Sequence, residues 1–102
     1  MRVFIFITSL AAALLNVQSY ASAADSVPKF DIARECRSEG GSKAVQEKCA
    51  EDEAEARDQL PPLWGQSSAA DKANCVKETS MDGTPSYVEL LTCLEMARDA
   101  KR

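Results

Sequence analysis

The sequence predicts an all-α fold built from two short helical hairpins, each stapled by a disulfide. Three observations carry that prediction. Tyr87, Leu90, Leu91, Leu94 and Ala97 recur at helical spacing and form one apolar stripe. No segment alternates apolar and polar residues as a half-buried strand does. The four cysteines, Cys36, Cys49, Cys75 and Cys93, fall into two pairs, each flanking a glycine turn.

Residues 1–23 read as a cleaved signal peptide. Arg2 supplies the positive charge, Val3 to Leu15 the thirteen-residue apolar stretch, and Ala21-Ser22-Ala23 the small-x-small cleavage site. Such a stretch is too short to span a bilayer. The expectation is an exported chain, periplasmic or extracellular, with no membrane segment after cleavage. Residues 24–102 then form one small domain. Cleavage removes one of the 12 basic residues and none of the 16 acidic ones, leaving 11 against 16 and a net charge of −5. That balance argues against nucleic acid and anionic membrane surfaces, and fits another protein, a basic one, as the partner.

Ala24 to Pro28 form a lead-in. Phe30, Ala33 and Cys36, with Ile32 beside them, predict a first helix from Pro28 to Ser38, closed by Gly40-Gly41. Ser42 caps a second helix running to about Leu60, with Val45, Cys49, Ala56 and Leu60 as its thin apolar line. Its opposite face carries Glu47, Glu51, Glu53, Glu55 and Asp58 among Lys43, Lys48 and Arg57, and reads as solvated. Glu51, Glu55 and Asp58 are the acids this face would offer a partner.

Pro61-Pro62 should end that helix, because proline lacks the amide that continues the ladder and pushes its predecessor out of helical geometry. Trp64 has two readings. It either closes the small core where the halves meet or stands exposed as a partner-binding anchor. Ser68 and Asp71 make a capping box for a third helix to about Thr79, with Ala69, Ala73 and Val76 inward. Met81-Asp82-Gly83 turns the chain into the last helix. That helix begins either at Thr84-Pro85 or with a capping box of Ser86 and Glu89.

The halves share a layout. Ser42 follows the Gly40-Gly41 turn and Cys49 stands seven residues later; Ser86 follows Gly83 and Cys93 again stands seven residues later. This symmetry favours Cys36–Cys49 with Cys75–Cys93. Nested pairing, Cys36–Cys93 with Cys49–Cys75, suits one long bent hairpin and stays open. Large apolar residues are few in residues 24–102, and small exported domains add disulfides to compensate for a thin core.

Phe30-Asp31, Ala33, Cys36 and then Cys49 before an acidic, alanine-rich helix to Leu60 and Trp64 resemble the opening of lysozyme-inhibitor LprI-like domains. Asp71-Lys72, Cys75, Gly83, Cys93-Leu94 and Arg98 resemble the closing pair of the longer members. The resemblance implies exported bacterial helical hairpins and, as a function, binding of a lysozyme-type enzyme. No inhibitory residue is carried over.

The chain has no histidine, which removes the commonest general base and metal ligand. The cysteine intervals of 12, 25 and 17 residues lack the close pairs of a structural zinc site. No catalytic, cofactor-binding or metal-binding residue is expected. The function read from these residues is a non-enzymatic protein-binding module. A thiol–disulfide exchange or envelope-stress factor and a structural subunit of an envelope complex are the rivals.

Overall fold

A computed structural model describes residues 26–102, so the expected signal peptide lies outside the described residues. Among the described residues there are four helices and no strand: α1 (Ile32–Glu39), α2 (Lys43–Gln66), α3 (Ala69–Thr79) and α4 (Tyr87–Asp99). Disulfides join Cys36 to Cys49 and Cys75 to Cys93, each with its Cα atoms less than 6 Å apart, at 5.7 and 5.6 Å. Both hairpins are therefore stapled within themselves, and the nested pairing is not adopted. In the chain-entropy view each closure is worth about 3 kcal/mol.

Each of these four helices starts on a polar cap. Asp31, Ser42, Ser68 and Ser86 each accept, through the side chain, from the amide three residues on, replacing one of the amide partners a helix start lacks. The Ser86 start is the one used, and Thr84-Pro85 stays in the loop ahead of it. Gly40 and Gly41, at φ 76° and 95°, make the turn between α1 and α2. A Cβ on Gly41 would also strike Val45 Cγ1 at 2.9 Å.

One expectation is overturned. α2 does not stop at Leu60; it runs through Pro61 and Pro62 to Gln66. The two prolines lie on the exposed side, so the Arg57 and Asp58 carbonyls they cannot serve face solvent rather than core. Continuing the helix brings Leu63 and Trp64 onto the same buried face as Leu60. A proline in a helix interior costs about 3 kcal/mol, whereas burying a large apolar side chain returns about 1.5–3 kcal/mol. Two prolines therefore cost about 6 kcal/mol and the two side chains return about 3–6 kcal/mol, so burial offsets most of the local penalty.

The core lies between α2, α3 and α4. Ala56, Leu60, Leu63 and Trp64 from α2 meet Tyr87, Leu90 and Leu94 from α4, with Cys75 from α3; Leu60, Leu90 and Leu94 are wholly buried. α4 packs on both α2 and α3, and α1 packs on α2. The lead-in joins this core: Phe30 lies 4.8 Å from the Tyr87 ring, and its amide donates to Tyr87 Oη at 2.8 Å. Other apolar positions fall outside it. Val45, expected inward, is exposed, as are Ala33, Ala69 and Ala73. α1 and α3 each cover the core from one side, so their stripes are narrower than the spacing suggested.

Candidate functional site

The acids of α2 divide by position. Glu51, Glu55 and Asp58 are exposed, as the solvated-face reading requires. Glu53 is not: it is 3% exposed and belongs to the joint between the hairpins. Its carboxylate accepts from Ser86 Oγ at 2.5 Å, Tyr87 N at 2.7 Å and Val88 N at 3.3 Å. These amides open α4, where the helix dipole favours negative charge, and charge-assisted bonds of this kind are about twice as strong as neutral ones. Its spacing gave a signal. Glu53, Ala56, Leu60 and Leu63 lie on one helical stripe, so an acid there stands where burial demands an apolar residue.

The loop before α4 is held from the other side by Thr79. Thr79 Oγ1 accepts from Ser86 N at 2.8 Å. Its own proton is shared between the Ser86 carbonyl at 3.2 Å and Glu89 Oε2 at 2.9 Å. The capping box expected at Ser86 and Glu89 is thus half-formed, with Glu89 turned to Thr79.

Glu35 on α1 is a second buried acid, 3% exposed. Its Oε2 has no hydrogen-bond partner among the described residues. Burial pushes its pKa upward; a hydrogen bond from Thr84 works against that, while nearby Glu39 and Glu53 add to it.

Trp64 takes the first of its two readings. It is 5% exposed and closes the core, so it offers no surface anchor. Lys72 Nζ sits over the ring, 5.2 Å from its centroid.

The exposed face of α2 is largely self-neutralised. Lys43 pairs with Glu47, Lys48 with Asp52 at 2.8 Å, and Arg57 with Asp58. The Asp52 contact raises the Lys48 pKa. Asp71, at the start of α3, is bound by Lys101, which lowers its pKa.

The internal symmetry extends to carboxylates. Glu39 and Glu78 each stand three residues after the first cysteine of a bridge and approach the second, Cys49 Sγ at 3.8 Å and Cys93 Sγ at 3.2 Å. A disulfide sulfur has no proton to give, so each is a close carboxylate–sulfur contact rather than a hydrogen bond.

Beside each bridge is a shallow groove. The one in the first hairpin carries the Lys48–Asp52 ion pair next to Cys49. The equivalent groove in the second, about 330 Å³, has Thr92 and Met96 at those positions, with Val88, Cys93, Glu78 and Glu89 around them. Val88 is 39% and Met96 67% exposed.

Among the described residues no cluster of three or more acidic, cysteine or histidine side chains is placed to hold a metal ion, and no helix is long and apolar enough to cross a membrane. No protein-family model, curated protein or solved structure matches this chain, so its functional reading rests on its own residues.

Proposed function

We propose that this chain is a small exported, non-enzymatic binding module for a basic protein, with the periplasm as its place of action. The observation that carries the reading is an acidic surface on a scaffold fixed by two disulfides. The chain has 16 acidic against 12 basic residues, and its core and joints hold one long helix and three shorter ones in place. Disulfides persist in oxidising compartments, and residues 1–23 have the layout of an export signal.

The specific form of the proposal is binding of a lysozyme-type enzyme, which the LprI-like resemblance suggests. Titrating the purified, oxidised protein against a panel of lysozymes by calorimetry tests it. Binding in the micromolar range with slowed cell-wall hydrolysis supports that form. No binding to any member ends it, while leaving other basic partners in play. Fractionation of expressing cells tests the address, and retention of an unprocessed chain in the cytoplasm would count against export.

The thiol-exchange rival is less favoured. An exchanging cysteine needs a stabilised thiolate, and the carboxylates of Glu39 and Glu78 beside Cys49 and Cys93 destabilise one.

A further inference from the structure

Resting on the reading of the chain as a binding module, we propose that the groove along the α3–α4 hairpin is its docking surface. Its occupant is a short basic segment of a partner protein that also carries an apolar side chain.

The groove combines apolar and acidic side chains. Val88, Cys93 and Met96 line it together with Thr92 and the carboxylates of Glu78 and Glu89. Two of the four exposed large apolar residues among the described residues, Val88 and Met96, lie here, where the helical repeat brings them to one side of α4. Methionine, unbranched and polarisable, adapts to varied apolar partners.

Charge selects the occupant. None of the ion pairs among the described residues involves Glu78 or Glu89. Glu89 keeps one oxygen on Thr79, and Glu78 lies against a sulfur that cannot neutralise it. No lysine or arginine lines this groove, whereas three other surface grooves each contain at least one: Arg98 in one, Lys48 in the second, Arg37 and Lys43 in the third. On α2, by contrast, Glu47, Asp52 and Asp58 are ion-paired and lie among Lys43, Lys48 and Arg57, so its acids alternate with bases, whereas those of the groove do not. A second copy of this acidic chain would bring its own negative charge to the groove's carboxylates; a basic segment is drawn to them.

The test is a methyl- and amide-labelled titration of the oxidised protein with three short synthetic peptides. One alternates lysine and leucine, one has glutamate for each lysine, and one is oligolysine. The lysine–leucine peptide is expected to shift the Val88 and Met96 methyl signals and to bind roughly tenfold more tightly than the other two. Glu78→Gln with Glu89→Gln should weaken that binding roughly three- to tenfold, with a smaller ratio at high salt. Val88→Ser with Met96→Ser should bring the affinity for the lysine–leucine peptide down to that for oligolysine, read on the Thr92 and Cys93 amides, while the rest of the amide spectrum stays folded, because both side chains are exposed.

Shifts confined to Glu51, Glu55 and Asp58 on α2 overturn the groove and leave the binding-module reading standing. Absence of binding by either basic peptide up to millimolar concentration overturns the groove and the basic-partner reading together. Val88 and Met96 signals that move with protein concentration alone identify a second copy as the occupant and overturn the choice made here.

Discussion

Glu53 and Glu35 are buried acids with opposite economies. Glu53 has its charge matched by a hydroxyl and two helix-opening amides, so removing it strands those donors. Glu53→Ala should destabilise the protein by about 2–4 kcal/mol in urea unfolding, near the loss of a buried charge-assisted cluster, whereas Glu51→Ala on the solvated face should stay within about 0.5 kcal/mol. An equal effect of the two would remove Glu53 from the joint. Glu35 keeps an unpartnered oxygen, and burial raises its pKa above the ordinary value of 4.5. The folded protein therefore holds this proton to higher pH than the unfolded chain does. Its contribution is present below about 4.5 and is lost as pH rises through the raised value. Glu35→Gln should flatten that fall, read as a Tm that drops less than that of the wild type as pH rises from acid to neutral. A mutant with the same pH profile as wild type would show that Glu35 does not titrate this way.

Individual helices show where local chemistry is enough and where it is not. The caps at Ser42 and Ser68 and the Gly40-Gly41 and Gly83 turns were legible, because each depends on residues close in sequence. The start of α4 and the cysteine pairing were narrowed to two readings each, of which the structure adopts the Ser86 cap and the twin-hairpin bridges. The path of α2 through Pro61-Pro62 was not legible. Its local signal is a helix stop, and what overrules it is the burial of Leu63 and Trp64 against residues about thirty positions away on α4. The same distance hid Glu53 in a run of acids and left Trp64 with two readings. The groove beside Cys93 was equally hidden, since it needs α3 and α4 side by side. If the prolines are tolerated rather than required, restoring an amide should help. Pro61→Ala or Pro62→Ala should stabilise by about 1–3 kcal/mol, seen as a raised urea midpoint with unchanged slope. Destabilisation by either would mean that the bend itself is needed for packing.

At the scale of the whole molecule the hairpins are unequal. The second supplies Cys75, Tyr87, Leu90 and Leu94 to the core, while α1 buries only Glu35 and Cys36. Replacing Cys36 and Cys49 with alanine should release α1 locally and leave the rest folded; hydrogen exchange should rise over residues 32–39 and little elsewhere. Replacing Cys75 and Cys93 should lower stability globally by about 2–5 kcal/mol, accelerating exchange across α2 and α4. Identical exchange maps for the two variants would contradict this division.

The path of α2 along α4 also bears on how such a chain can change over generations. Glu53 must reach Ser86 while Leu60 meets Leu90 and Leu94, and one inserted residue between Glu53 and Leu60 would turn the helix by about 100°. Either the cap or the core would then face solvent. Insertions and deletions are therefore shut out of the middle of α2 and admitted in the turn at residues 80–85, whose side chains are largely exposed. Descendants of this sequence would diverge by substitution along the spine and by length only at its turns.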